Sequence, residues 1–181
     1  PLSIAADEVI IRYIRVRLGN ESGGNDDALS CRGRKNIILD HVSASWSIDE
    51  TMSVYHCKNV TIQWCMITES LFGSNHVKGS HGFGGIWGSD LSTYHHNLIA
   101  HHSSRNPRWA SGGGRNDYRN NVVYNWGYNS SYGGERQQKG NPHVVLNIPQ
   151  TVIVVAAAAG VYYTVRHLAA ARSRTGLIVV A

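Results

Sequence analysis

The chain has 181 residues, of which 42% are hydrophobic and 16% charged, and its formal net charge is +5 at pH 7. This length is enough for one domain with a sizeable core and gives no reason to expect two. The low charge and the 19 glycines disfavour long helices and favour short strands joined by turns. The basic balance suits a polyanionic partner, whether nucleic acid, anionic lipid or acidic polysaccharide.

Strand-like runs recur along the chain, and each sets polar or ring-bearing residues between apolar ones. The runs begin at Ile11, Leu39, Ile62, Tyr94 and Tyr118. Their starts lie 28, 23, 32 and 24 positions apart, and connections rich in Gly, Asn and Ser separate them. Such periods are typical of a solenoid, in which each coil buries its inner face only against its neighbours. We therefore predict stacked strands with loops of unequal length.

The cysteines Cys31, Cys57 and Cys65 match no zinc-binding spacing, and their odd number argues against a complete disulfide framework. Free cysteine is among the most buried residue types. We therefore predict three buried free thiols.

Asn97 and Asn121 occupy the same place in successive runs. Buried amides must be paired, so amides stacked at this position would hydrogen-bond along the solenoid axis. We interpret both residues as a structural ladder rather than as site residues. We expect the five tryptophans to serve mainly in packing, and we single out only Trp109, beside the arginine motif below, as a candidate platform for a sugar.

The segment from Tyr94 to Arg108 has the highest density of chemically active side chains. It contains two histidine pairs, His95/His96 and His101/His102, and imidazoles are common ligands of zinc and copper. Adjacent residues on a strand point to opposite faces, however, so the two members of a pair cannot converge on one ion without a bend. The segment ends in Arg105-Asn-Pro-Arg108, whose two guanidinium groups suit the carboxylates repeated along a uronate chain.

Several motifs resemble pectate lyases of polysaccharide lyase family 1, especially bacterial members. They are Thr93-Tyr94-His95-His96-Asn97 with Arg105-x-Pro107 eight residues after the Asn, Asp40-His41-Val42-Ser43, Ser45-Trp46-Ser47-Ile48-Asp49-Glu50, His81-Gly82-x-Gly84-Gly85-Ile86-Trp87-Gly88 and Tyr118-Arg119-Asn120-Asn121-Val122. The resemblance covers about residues 9 to 143. It implies an all-β, right-handed parallel β-helix that forms one domain over residues 1–181, with further coils expected before its N-terminal end.

The resemblance also implies a secreted, monomeric enzyme without a membrane span, whose partner is an acidic polysaccharide and not nucleic acid. Enzymes of this family cleave α-1,4-linked polygalacturonate by β-elimination, in which the C5 proton is removed and the C4 glycosidic oxygen is expelled. Arg105 matches the base, and Arg108 matches a substrate clamp. An arginine is an unlikely base, because its high ordinary pKa keeps the guanidinium protonated. The difficulty eases if calcium neutralises the uronate while neighbouring cations and partial burial disfavour a further charge on Arg105.

The calcium that the resemblance implies needs several oxygen ligands. Asp27 stands at the family's first calcium-binding acid, with Asp26 as its alternate, and Asp49 and Glu50 stand in the next turn region.

Three positions depart from the family pattern. Met52, Ser53 and Val54 offer no further acid after Glu50, and Ala110 replaces a second arginine. Phe83 replaces an auxiliary lysine, which leaves Lys78 and His81 as candidates for substrate binding.

Three other functions remain open at this point. A pectin lyase would act on methyl-esterified chains without calcium, and the acids Asp27, Asp49 and Glu50 argue against it. A glycoside hydrolase would need carboxylates converging on one bond, yet no acid lies between Asp90 and Asp117. A non-catalytic β-helix that binds polysaccharide or acts as an adhesin would keep the repeat but would not need the arginine motif.

The sequence changes character from Val144 onward. Four consecutive alanines run from Ala156 to Ala159, and no acid follows Glu135. The apolar stretch from Val152 to Tyr163 is too short to span a bilayer as a helix. This tail is compatible with further β-helix strands or with a covering helix, and we attach no function to it.

Overall fold

The chain forms a β-solenoid of about six turns in the computed structural model, which describes residues 1–133 and four short strands after them. These residues contain no α-helix and one short 3-10 helix, Asn20–Ser22. Apart from one antiparallel pair close to the C-terminal end, the strands pair in parallel. The predicted all-β parallel solenoid is therefore confirmed.

Each coil contributes up to three strands, separated by corners. The first coil contains β1 (Leu2–Ile4), β2 (Val9–Arg12) and β3 (Arg15–Arg17), and the second contains β4 (Leu29–Arg32), β5 (Lys35–Asp40) and β6 (Ser43–Ser45). In the next two coils the first two strands run on as one, giving β7 (Met52–Gln63) with β8 (Met66–Thr68), then β9 (Ile86–His95) with β10 (Leu98–Ala100). The fifth coil contains β11 (Arg108–Trp109), β12 (Arg115–Arg119) and β13 (Val122–Tyr124). The sixth contains β14 (Tyr132–Gly133), β15 (Val145–Asn147) and β16 (Ile153–Val155), and β17 (Ala157–Ala158) with β18 (Val161–Tyr162) forms the antiparallel pair.

Stacking of the coils produces three faces. The first face has the order β1-β4-β7-β9-β11-β14, and the third face has the order β3-β6-β8-β10-β13-β16. The second face consists of β2, β5, β12 and β15 together with the later parts of β7 and β9. In the tail, β15 continues the second face and β16 continues the third. Apart from β15, β16, β17 and β18, the residues beyond 133 lie outside the described part.

One file of paired residues runs up the second face, and it explains the sequence repeat. Its members are Ile11, Leu39, Ile62, Tyr94 and Tyr118. These are the first residues of the five strand-like runs, so the unequal spacing of the runs is the unequal length of the coils.

The core is a column of apolar side chains inside the coils. Aliphatic residues such as Leu39 and Ile62 fill the earlier coils, and an aromatic group fills the later ones. In that group the rings of Trp87 and Tyr94 stack with centroids 4.8 Å apart. The three cysteines are buried and free, as predicted.

The corner between the second and third faces is a two-residue turn that carries the amide ladder. Its first residue has a positive φ in every coil from the first to the fifth, as at His96 with 57°. Its second residue in the last two of these turns is Asn97 and Asn121, both buried. Asn97 Nδ2 donates to Asn121 Oδ1 at 2.9 Å, and Asn97 Oδ1 accepts the Cys65 N–H at 2.9 Å. The predicted ladder is therefore confirmed.

We predict that Asn97→Ala lowers the free energy of unfolding by about 1–3 kcal/mol for each polar group that it leaves buried without a partner. The change removes the acceptor of the Cys65 N–H and a donor to the Ile62 carbonyl. Asn129→Ala, at an exposed asparagine, is the control. Urea unfolding measures both variants, and equal midpoints for the two would contradict the role of the ladder.

Candidate active site

Four loops meet at the corner between the third and first faces, and each ends where a strand of the first face begins. They comprise residues 18–28, 46–51, 69–85 and 101–107. Near their ends Glu50, Phe83 and Ser104 are joined to one another by parallel bridges. Residues that lie far apart in the sequence therefore come together along this corner.

Asp27, Asp49 and Glu50 form a cluster of carboxylates at this corner. One oxygen from each lies within 4.8 Å of the others. Asp27 Oδ1 accepts the backbone N–H of Glu50 at 3.2 Å, which ties the second loop to the first. Burial and then the negative charge of Asp49 raise the pKa of Asp27 to about 7. The alternate residue, Asp26, is exposed and does not belong to the cluster.

Arg105 reaches this cluster from the fourth loop. Its guanidinium forms an ion pair with Glu50, and its Nη1 lies 3.9 Å from Asp49 Oδ1. The ring of Phe83 also contacts the guanidinium, with its centroid 4.2 Å from the Arg105 Cζ. The Arg105 side chain remains 21% exposed, so acids and an aromatic ring hold the cation while part of it faces solvent.

Two histidines of the third loop contact Asp49. His76 Nε2 lies 3.4 Å from Asp49 Oδ2, His81 Nε2 lies 3.9 Å from Oδ1, and the two rings stack at 3.8 Å. His76 Nδ1 accepts the backbone N–H of Lys78 at 3.1 Å, so Nε2 carries the proton of the neutral ring and points it at Asp49.

Asp49, His76 and His81 have ligand atoms close enough to share a metal ion. The hydrogen bond at Nδ1 argues against that use, because a neutral ring that bound a metal through Nε2 would carry its proton on Nδ1, where the Lys78 N–H already donates. We therefore interpret His76 as a residue that positions Asp49. Sequence analysis identified His81 but missed His76, since no motif marks it and only the return of the loop brings it to Asp49.

Close approach of the coils at this corner requires glycine at positions 84 and 85. A Cβ atom on Gly84 would collide with the carbonyl oxygen of Arg105, and one on Gly85 would collide with the carbonyl oxygen of Met52. The amides of Gly84 and Gly85 donate to the carbonyls of Ser104 and Arg105 at 2.9 and 2.8 Å. The two glycines thus fix the backbone of Arg105 against the neighbouring coil.

Three further residues named in the sequence analysis lie around this corner. Arg108 begins β11 directly after the fourth loop, and its side chain is half-buried. Lys78 is exposed on the third loop. Trp109 is 3% exposed, lies in the aromatic core and donates from Nε1 to Ser131 Oγ at 3.0 Å. Strand alternation turns Trp109 inward, so its ring is closed to a sugar, and this corrects the expectation that Trp109 binds substrate.

The histidine pairs serve in packing. His102 is buried, with Nδ1 2.8 Å from Ser70 Oγ and Nε2 2.9 Å from the Ile67 carbonyl oxygen. Burial lowers the pKa of His102 to about 4, which keeps the ring neutral. The other three, His95, His96 and His101, are half-buried. Within residues 1–133, neither group with metal-ligand spacing includes any of the four.

Comparison with curated proteins gives relatives for most of the chain. A protein of Aspergillus flavus named probable pectate lyase C is 38% identical over 146 residues, which are 78% of this chain and 32% of the relative. Proteins of the same name from Aspergillus terreus and Neosartorya fischeri are 38% and 37% identical over 130 residues, or 70% of this chain and 28% of each relative. The resemblance to pectate lyases is therefore confirmed.

The similarity to pectate lyases covers a part of those proteins. The chain spans about a third of the length of the curated relatives it matches. No family model matches it. In the part of the chain that the structure describes, no helix combines the length and apolar character needed to cross a membrane.

We predict that Asp27 makes the stability of the metal-free protein fall as the pH rises from about 4 to about 7. Folding raises the pKa of Asp27 from 3.8 to about 7, so in this window the folded chain keeps a proton that the unfolded chain has lost. Asp27→Asn removes this titration. The unfolding free energy of the Asp27→Asn variant should therefore exceed that of the unaltered protein by an amount that grows as the pH rises across the window. Urea unfolding with a chelator present measures the difference, and a gain that is constant with pH would contradict the prediction.

Proposed function

We propose that the chain carries the catalytic corner of a pectate lyase that cleaves polygalacturonate by β-elimination, with Arg105 as the base. The observation that carries the proposal is the contact of Arg105 with the carboxylate cluster of Asp27, Asp49 and Glu50 at one corner of the solenoid. The printed name of the relatives supports the reaction class. The net charge of +5 suits a polyanionic substrate.

Three neighbours hold the Arg105 guanidinium at this corner. Glu50 and Asp49 attract it by their charge, and the face of the Phe83 ring attracts it as a cation. A metal ion bound by these carboxylates would compete with Arg105 for their negative charge. If Asp49 and Glu50 bound a metal ion, they would attract the guanidinium less strongly, and Arg105 could then contact a substrate.

In the proposed reaction Arg105, in its neutral guanidine form, takes the proton from C5, next to a uronate carboxylate, and becomes a guanidinium. The electron pair of the C5–H bond forms the C4–C5 double bond, and the C4–O bond breaks. The glycosidic oxygen leaves with the bonding pair and is protonated by water. Arg108 lies three residues beyond Arg105 and would bind the carboxylate of a neighbouring uronate, with Lys78 or His81 of the third loop as a further contact.

The carboxylate cluster fits calcium by its chemistry. Calcium takes oxygen ligands, and Asp27, Asp49 and Glu50 bring carboxylate oxygens to one place. Burial and then the negative charge of Asp49 raise the pKa of Asp27, and a divalent cation would relieve the repulsion between the two carboxylates. When bound, calcium would supply neutralisation of the uronate carboxylate, which acidifies the C5 proton.

The substrate also bears on where the protein acts. Polygalacturonate is a large polymer outside the cell, so we propose that the protein is secreted, and that it acts as a monomer in pectin degradation. We propose no nucleic-acid partner, because the relatives are named for action on pectate.

Turnover tests the assignment of Arg105. With calcium, polygalacturonate should give unsaturated products that absorb ultraviolet light, and a chelator should stop the reaction. Arg105→Lys should reduce turnover by about 100-fold or more, because a positioned base contributes on the order of 10²–10⁴. Arg115→Lys, at an exposed arginine of β12, is the matched control and should retain activity.

Each outcome of this test has a consequence. Absence of product from folded protein with calcium present would reject the lyase and favour a non-catalytic polysaccharide-binding solenoid. Product that survives complete chelation would favour pectin lyase or another metal-independent lyase. Substantial turnover by Arg105→Lys would remove Arg105 from the role of base.

Calcium binding tests the cluster without an activity assay. At pH 6 binding should release protons, because Asp27 with a pKa of about 7 must ionise to become a ligand. Titration calorimetry in two buffers of different ionisation enthalpy measures the release. Asp27→Asn should weaken binding and remove the release, whereas Asp26→Asn, at the adjacent exposed acid, should preserve both. Unchanged affinity in Asp27→Asn would contradict the proposed ligand set.

A further inference from the structure

Two cysteines of neighbouring coils lie against each other in the core. Cys31 of β4 and Cys57 of β7 are 2% and 4% exposed, and their Sγ atoms are 3.7 Å apart. A disulfide bond measures about 2.05 Å, so the two sulfurs would have to approach by less than about 2 Å. The pairing of β7 with β9 shifts register between Tyr55 and Lys58, so Cys57 lies at an irregularity of its strand.

Cys57 also lines a surface pocket of about 320 Å³, together with His56, Asp90, Ser111 and Gly112. Cys31 does not belong to this lining. The pocket lies where the chain passes from the first face to the second, away from the loops that carry Arg105. A small reagent in the pocket would therefore meet Cys57 first.

The pKa values of the two thiols also favour Cys57 as the one that reacts first. The hydrogen bond with Cys31 lowers the pKa of Cys57 to about 6 against the opposing effect of burial, and the backbone N–H of Arg34, 3.4 Å from Cys57 Sγ, adds to the lowering. The same sulfur–sulfur hydrogen bond, followed by burial, raises the pKa of Cys31. The thiolate is the nucleophile in thiol–disulfide exchange, so Cys57 is suited to attack and Cys31 to resolve.

We propose that Cys31 and Cys57 are a redox-active dithiol, which a small-molecule disulfide such as oxidised glutathione converts into a disulfide between the second and third coils. The Cys57 thiolate attacks one sulfur of the oxidant, whose S–S bond breaks and releases one glutathione thiolate. Cys31 then loses its proton and attacks the Cys57 sulfur of the mixed disulfide, and the second glutathione leaves. Two protein thiols are oxidised, and one disulfide is reduced to two thiols.

The consequence for the fold is a covalent link between two coils that otherwise hold together by hydrogen bonds and packing. The link would join residues 26 positions apart and restrict the unfolded chain. This proposal does not rest on lyase activity.

Thiol mapping after oxidation tests the proposal. Reduced, folded protein is treated with oxidised glutathione, then denatured, alkylated, digested and analysed by mass spectrometry. Of the three free cysteines, only Cys65 should remain alkylatable, and a linked peptide should join Cys31 to Cys57. The urea midpoint should rise on oxidation and return with dithiothreitol. Three alkylatable thiols after oxidation, or glutathione on Cys65 instead, would overturn the proposal.

Single substitutions test the separate roles of the two thiols. Cys31→Ser should retain glutathione as a stable mixed disulfide on Cys57, whereas Cys57→Ser should take up none at Cys31. Cys65→Ser is the matched control, because Cys65 is buried with its sulfur on the carbonyls of Leu39 and Gln63. It should form the disulfide as the unaltered protein does. Equal modification of the first two variants would overturn the assigned order, and the linked peptide of the unaltered protein decides the matter if a variant does not fold.

Discussion

Parallel stacking of the coils in register is the constraint on which the rest of the structure depends. Neighbouring strands lie about 4.8 Å apart, so equivalent residues of successive coils are forced into contact. A polar residue inside such a file must therefore find its partner one coil away, as Asn97 does with Asn121. The loops may differ in length without disturbing the stack, because only their ends have to return to register.

The same constraint concentrates charge at one corner. The ends of successive loops place Asp27, Asp49 and Glu50 close together, which costs free energy wherever all three are ionised. The folded chain offsets this cost through the raised pKa of Asp27 and the ion pair of Glu50 with Arg105. The crowding that destabilises the corner also suits the cation that we propose for it, and such a trade of stability for function is common at binding sites.

Much of this arrangement could be predicted from the sequence. Residues that stack on one another in successive coils recur at similar intervals along the chain, and the motifs identify Arg105 and the three acids as candidates. Other features depend on local geometry that no period records. The inward direction of Trp109 depends on where β11 begins, since a shift of one residue reverses a side chain on a strand. His76 lies in the middle of the longest of the four loops, where the repeat gives no register, and the contact of Cys31 with Cys57 depends on the local backbone geometry around Cys57.

The thiol pair and the acid cluster occupy different corners but share two strands. Asp27 lies two residues before β4, which contains Cys31, and Glu50 lies two residues before β7, which contains Cys57. The backbone N–H of Glu50 already bonds to Asp27 across these coils. A covalent link between Cys31 and Cys57 would hold the two strands that present the acids, and so would reduce the conformational entropy lost when the acids assemble around an ion. Oxidation of the core would then act on the proposed cation site through the backbone that joins them.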